Sequence, residues 1–296
     1  MKIQKHKKLI SKISVGTANF GTRYGFKNKK VSKYEIKKII NIIKKYNIKY
    51  LDTAIDYKNA DIELGKLNLK NFSISSKIPK IPKDQANTFI YVTKIVKNHI
   101  KNMGISKIDT LFIHDVSIIK QKNFKEISRA LTYLKKIKLI KKIGISIYNP
   151  SDIKKIYKII KFNSIQTTFN IFDQNILSKN YLNFFNKNKI KLEVRSIFLQ
   201  GLLLNKKKFY KNFPNKIKLF NSLDKFINEK KISKLKFLIN YTFNFKVFDK
   251  IIIGIDTAKH LIDIINLLEK KKNIMITKFI SKDSKFIYPY NWKYEK

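Results

Sequence analysis

Residues 50–57 read Tyr-Leu-Asp-Thr-Ala-Ile-Asp-Tyr, a short apolar run that stops abruptly in polar side chains. Two later stretches follow the same pattern: Ile74-Ser75-Ser76-Lys77, with Pro79 just beyond, and Leu111-Phe112-Ile113-His114-Asp115. An apolar strand gains nothing in packing from a lysine or a histidine at its end, so these residues answer to something other than the core. Working outward from them, the segments predicted as strands are Ile13–Thr17, Tyr50–Ala54, Phe72–Ile78, Ile108–His114, Lys142–Ile147, Ser164–Asn170, Lys191–Phe198 and Lys250–Ile255. There are eight, and their apolar, β-branched character suits parallel strands buried on both faces.

Between the strands, apolar residues recur at spacings of three and four, the period of an amphipathic helix. Ser32–Tyr46 opens on a Ser32 N-cap with Glu35 three residues on, the capping-box spacing. Phe124–Leu139 places Ile127, Leu131, Leu134 and Ile137 on one face, and Pro150 can start a helix running to about Lys161. Further helices are expected at Asn59–Leu67, Asp84–Met103, Ser178–Asn188, Ser233–Phe243 and Ala258–Lys271. Leu202–Ile232 reads as a long connection, a loop with a short helix, of the kind that borders an active site in a barrel. Eight strand–helix units in series predict an α/β fold, a closed (β/α)8 TIM barrel, with a doubly wound open sheet as the alternative. No Gly/Ser/Pro-rich linker divides the chain, so residues 1–296 are read as a single domain. The tail beyond Asn273 carries Phe279, Phe286, Tyr288, Tyr290, Trp292 and Tyr294, to pack over the barrel mouth or along its outer wall.

Composition narrows the function classes. The chain holds no cysteine, which removes disulfide scaffolds and thiolate metal sites. No stretch has the roughly 18 apolar residues of a membrane span, and the basic N-terminus has no apolar core of a signal peptide. A cytoplasmic location is the expectation. The formal net charge is +45, yet only three of the 65 basic residues are arginine: Arg23, Arg129 and Arg195. A nucleic-acid binder uses arginine for bidentate contacts and gathers its charge on one face. Here the lysines are spread along the whole chain as a solvated coat, and nucleic acid is not an expected partner.

In a barrel the strand ends converge on one pocket. That brings Asp52, Tyr57, Lys77 and His114 together, although each alone could be a turn, packing or surface residue. A free tyrosine has a pKa near 10, and a neighbouring ammonium favours its phenolate, so Lys77 is expected to lower the pKa of Tyr57. Asp52 can hold Lys77 charged, His114 can hydrogen-bond a substrate carbonyl, and Tyr57 can act as general acid. None of these groups supplies hydride, which implies a nicotinamide cofactor. No GxGxxG follows a strand, so a Rossmann site is not expected. His6, His99 and His260 read as incidental, and no metal site is expected.

These residues resemble the aldo-keto reductase family over nearly the whole chain, from Val15-Gly16-Thr17 to about Leu268. The family's Asp-Thr-Ala-x-x-Tyr motif is matched by Asp52 to Tyr57, its lysine by Lys77 and its histidine by His114. The resemblance implies a nicotinamide-binding set of Gly16, Thr17, Ser146, Gln166, Arg195, Phe198, Gly201, Ile253 and Gly254. Within it, Ser146 and Gln166 correspond to the residues that hold the carboxamide. The segments FNIFDQN and RSIFLQGLL are similar to a bacterial branch often found beside surface-sugar biosynthesis genes.

Three positions depart from the family pattern. Lys58 follows Tyr57 in place of glycine, Ile147 follows Ser146 in place of asparagine, and Arg195 stands where many members stack a tyrosine on the nicotinamide. Arg195 could equally bind an acidic or phosphorylated substrate. On the last loop, Gly254 and His260 occupy places where NADPH-preferring members carry lysine and arginine, with Asp256 between them. The family pattern favours NADP(H), with NAD(H) as the alternative. The implied activity is NAD(P)H-dependent reduction of an aldehyde or ketone, with a small carbonyl or sugar-derived partner. A cofactor-binding barrel with a regulatory or scaffolding role is the alternative.

Overall fold

The computed structural model describes residues 2–25, 29–269 and 278–292. Eight strands close into a parallel barrel in chain order: β1 (Ile13–Gly16), β2 (Tyr50–Asp52), β3 (Ser73–Ile78), β4 (Ile108–Ile113), β5 (Ile140–Ile147), β6 (Ser164–Thr168), β7 (Lys191–Arg195) and β8 (Lys250–Gly254). β8 returns to β1 with Gly254 opposite Gly16, which rules out the open sheet. The eight predicted strands are all present. Several end two or three residues early, because their last residues turn outward into the loops that form the mouth.

Helices cover the outer face. Ser32 caps the helix Lys33–Lys45 by accepting from the Glu35 amide, as its spacing predicts. The Glu35 carboxylate does not complete a capping box. It crosses to the end of the chain and accepts from the Ala258 amide, the first residue of the helix Ala258–Glu269. One glutamate thus ties the helix after β1 to the helix after β8, next to the barrel seam.

The long connection after β7 is more structured than its sequence suggests. It contains the helices Lys206–Asn212 and Ile217–Glu229, the second with Phe220, Leu223 and Ile227 buried. The helix Lys2–Ile10 precedes β1 and was not among the expected elements. The aromatic tail packs on the segments that follow β5, β6 and β7. Phe286 packs on Phe172, Phe209 and Phe213, while Tyr288 and Tyr290 reach Tyr148 just beyond β5. Tyr294 lies outside the described residues. Among the described residues, no helix is long and apolar enough to cross a membrane.

Candidate active site

At the carboxyl ends of β2 and β3 the Lys77 Nζ donates to Asp52 Oδ1 at 2.6 Å and to the Thr53 carbonyl at 3.0 Å. Both side chains are buried. The second carboxylate oxygen of Asp52 accepts from Gln166 Nε2 at 2.8 Å, from β6 on the far side of the barrel. Such a pair is not kept for stability, because desolvating two charges costs about what their attraction returns. A buried, hydrogen-bonded charge pair at a barrel mouth is a candidate functional site.

Tyr57 lies in the turn that leaves β2, half-buried, with Lys77 Nζ 5.3 Å from its ring centroid. Two backbone details hold that turn. Gly21 sits so close that a Cβ there would come within 2.2 Å of the Tyr57 carbonyl oxygen. Lys58 has φ of 46°, the left-handed region. The family's usual glycine at this position therefore has a conformational reason, and lysine holds the same shape at a cost of roughly 1 kcal/mol.

The expected lowering of the Tyr57 pKa is not what the site produces. Burial and the Asp52 charge push it above the ordinary phenol value, against an opposing pull from Arg195. Burial is the largest cause, because a phenolate would lose its hydration there. Tyr57 keeps its proton, the form a general acid requires.

His114 follows β4, its ring edge-on to Tyr57 with centroids 6.2 Å apart. Its Nδ1 lies 3.2 Å from Asp56 Oδ2. Burial would raise the Asp56 carboxyl, but the His114 hydrogen bond and charge outweigh it and hold it below the usual range. An ionised carboxylate only accepts, so Nδ1 carries the hydrogen and Nε2 is the ring atom left for a ligand. Sequence reasoning passed over Asp56, whose only signal was its place beside Tyr57.

A cavity of about 430 Å³ opens next to Asp52 and Tyr57, and Gly16, Thr17, Arg195, Phe198, Gly201, Ile253 and Gly254 line it. The loop after β7 that forms one wall is strained. Ser196, Leu199 and Gln200 have φ of 61°, 50° and 54°, and Gly201 has 89°. Three non-glycine residues in the left-handed region within five positions is the kind of stored strain found at ligand sites. On the β8 side, Asn19 Nδ2 donates to Asp256 Oδ1 at 3.1 Å, and His260 Nδ1 stands 4.0 Å from Asp256 Oδ2. His260, read from the sequence as a helical residue away from the site, lines this cavity.

Ser146 and Gln166 lie beneath the cavity rather than on its wall. They are register partners on β5 and β6, so their side chains share a face, and Gln166 points inward to Asp52. Both are buried, and Ser146 Oγ and Gln166 Oε1 have no hydrogen-bond partner. A hydroxyl donor and an amide acceptor left open side by side fit a carboxamide, whose oxygen and NH2 would satisfy one each. The residues present therefore fit a nicotinamide. Arg195 lines the cavity, with its guanidinium over Tyr148, 4.2 Å from the ring centroid, and within 3.5 Å of the Ile147 carbonyl.

His99 belongs to a buried structural network outside the barrel. Its Nε2 meets Ser76 Oγ at 2.8 Å and its Nδ1 meets Asp61 Oδ2 at 3.1 Å, a Ser–His–Asp chain. All three residues are buried between β3 and the helices outside it, which leaves no room for a substrate. Ser76 immediately precedes Lys77 and so faces the other side of β3. The chain braces the strand that carries Lys77. Among the described residues, no cluster of three or more His, Cys, Asp or Glu side chains could hold a metal.

A sequence model of the Aldo/keto reductase family matches residues 12–280. No curated protein matches the chain. Two solved structures from Pseudomonas aeruginosa, each provisionally named an aldo-keto reductase, share the fold. One has a TM-score of 0.60 at 14% identity, the other 0.61 at 13%, and each alignment covers 88% of this chain and 90% of the other.

Proposed function

Because the chain belongs to the aldo/keto reductase family, we propose that it reduces an aldehyde or ketone to an alcohol with Asp52, Tyr57, Lys77 and His114 as its catalytic set. The observation that carries this reading is Tyr57 beside the buried Lys77–Asp52 pair, at the edge of a cavity of about 430 Å³.

Tyr57 donates its phenolic proton to the carbonyl oxygen. Lys77, oriented by Asp52 and the Thr53 carbonyl, supplies positive charge beside the phenolate that forms. Asp52 is in turn held by Gln166. As an imidazolium, whose two ring nitrogens both donate, His114 holds Asp56 through Nδ1 and donates to the carbonyl through Nε2. Ser146 and Gln166 hold the carboxamide of a nicotinamide nucleotide. Gly16 and Gly254 face one another at the β1–β8 seam and keep that wall free of side chains. The bound nucleotide supplies the hydride.

NADP(H) is the cofactor we assign, with His260 and Lys208 on the cavity wall and Asp256 engaged by Asn19. A small, sugar-derived carbonyl fits the similarity to the sugar-biosynthesis branch, and the whole chain acts as one reductase unit. The test follows NADPH and NADH absorbance in parallel against a carbonyl panel. Tyr57→Phe should reduce turnover at least about a thousandfold while nucleotide binding, read by intrinsic fluorescence, stays within twofold. Unchanged turnover in this variant would remove Tyr57 from the mechanism.

A further inference from the structure

Arg195 ends β7 at the Tyr57 side of the cavity, and Tyr24 and Tyr57 line the same wall. A guanidinium carries five N–H donors. Among the described residues, those of Arg195 meet only the Ile147 carbonyl, at the long distance of 3.5 Å, and the neighbouring Tyr148 side chain. The nearby carboxylate of Asp173 is buried and engaged elsewhere, accepting from Thr168 Oγ1 at 2.6 Å and from Asn175 Nδ2 at 3.1 Å. Asp52 is likewise committed to Lys77 and Gln166.

The plane of the guanidinium is fixed from behind. Tyr148 covers one face, and Tyr148 itself packs on Tyr290 and Tyr288, with centroids 4.3 and 5.7 Å away. A charged, planar donor fork that is held rigid, open to a cavity and without a carboxylate partner is built for an anion.

We propose that Arg195 receives a carboxylate of the substrate, so that the protein reduces carbonyl compounds that carry a carboxylate group. This deepens the reductase reading and rests on it for the position of the carbonyl at Tyr57. Two parallel N–H donors match the two oxygens of a carboxylate, and the Tyr24 and Tyr57 hydroxyls stand on the same wall. A neutral substrate leaves the fork unpaired after water is displaced, and this penalty makes the site selective.

The test compares 3-formylbenzoate with its neutral amide, 3-formylbenzamide, using the full-length protein. The wild type should favour the carboxylate about tenfold or more in kcat/KM, and in Arg195→Gln that ratio should fall to about one. Arg195→Lys, which keeps the charge but not the fork, should retain part of it. Equal kcat/KM for the two aldehydes in the wild type, or an unchanged ratio in Arg195→Gln, overturns the proposal. Calorimetric titration of benzoate and phenyl phosphate, with and without saturating NADPH, provides a readout that needs no turnover. Benzoate binding should weaken about tenfold in Arg195→Gln and should persist with nucleotide bound. Loss of the Arg195-dependent binding when NADPH is present would assign the site to the nucleotide's phosphates. Tighter Arg195-dependent binding of phenyl phosphate would assign it to a phosphate ester. If Arg195-dependent benzoate binding is found but no carbonyl is reduced, the reductase reading fails and the anion site stands.

Discussion

Lys77 Nζ and Asp52 Oδ1 are 2.6 Å apart, both buried, on neighbouring strands whose register places Asp52 beside Ser75, two residues before Lys77. The lysine has a carboxylate and a carbonyl as partners, and the carboxylate has a lysine and a glutamine. The four hydrogen-bonding groups form one closed unit at the mouth of the barrel. Breaking it should therefore be costly in a way that depends on which partner is removed. Lys77→Met leaves a buried carboxylate with only Gln166 and should destabilise by about 3–5 kcal/mol. The double variant Asp52→Asn/Lys77→Met should recover much of that loss. Urea denaturation of the two single variants and the double variant measures the coupling, and simple additivity would show that the two residues act separately.

The turn carrying Tyr57 is set by backbone shape, so substitutions that never touch the phenol should still alter it. Lys58→Gly removes a left-handed lysine and should stabilise by up to about 1 kcal/mol, less what glycine loses in chain entropy. Gly21→Ala places a methyl against the Tyr57 carbonyl and should lower turnover far more than its change in melting temperature suggests. Thermal melts combined with kcat distinguish a displaced turn from a merely weakened fold.

The chain Ser76–His99–Asp61 braces β3 from outside the barrel. His99→Leu strands the Asp61 carboxylate and the Ser76 hydroxyl in a buried site, and should cost about 2–3 kcal/mol. Burial alone would raise the Asp61 carboxyl, but the hydrogen bonds of His99 and Asn102 outweigh it and hold it below the ordinary value. A depressed carboxylate contributes stability above its unfolded pKa of about 3.9 and loses it as the pH falls through the folded value. The acid limb of the stability profile should therefore shrink in His99→Leu, as measured by urea midpoints from pH 7 down to pH 3. An unchanged limb would take His99 out of the network.

Asp173 has the opposite sign. Burial pushes its carboxyl up to about 6, against the hydrogen bonds of Thr168 and Asn175 and the charge of Arg195. A group whose folded pKa exceeds its unfolded value binds its proton first in the native state. Its ionisation at neutral pH thus costs stability, on the order of 3 kcal/mol, and that cost vanishes as the pH falls from about 7 to below about 4. Asp173→Asn should be more stable than the wild type at pH 7.5 and lose that advantage at pH 4. A variant equally destabilised at both pH values would contradict this account.

Much of the architecture was legible because its causes are local. Alternating strand and helix periodicity marks eight units, and Ser32 caps its helix through the amide three residues away. The ends of β2, β3 and β4 carry polar residues that packing does not explain. The same logic located Asp52, Tyr57, Lys77 and His114, because strand ends in a closed barrel must face one mouth. Leu202–Ile232 reads as a loop with a short helix, yet it holds two helices whose Phe209, Phe220, Leu223 and Ile227 are buried.

What only the tertiary structure decided are contacts between residues far apart in the chain. Glu35 carries a capping-box spacing but caps the helix that starts at Ala258. His99 looks like one more helical residue until Ser76 and Asp61 close on either side of its ring. Arg195 reads as a cofactor-side position, and only the closed barrel places Tyr148 against its guanidinium. Lys77 was expected to draw the proton from Tyr57, whereas burial and the Asp52 charge push the phenol's pKa up. Periodicity and capping act over a few residues and are written in the sequence. Field, desolvation and hydrogen-bond partnership depend on distances that exist only once the barrel has closed.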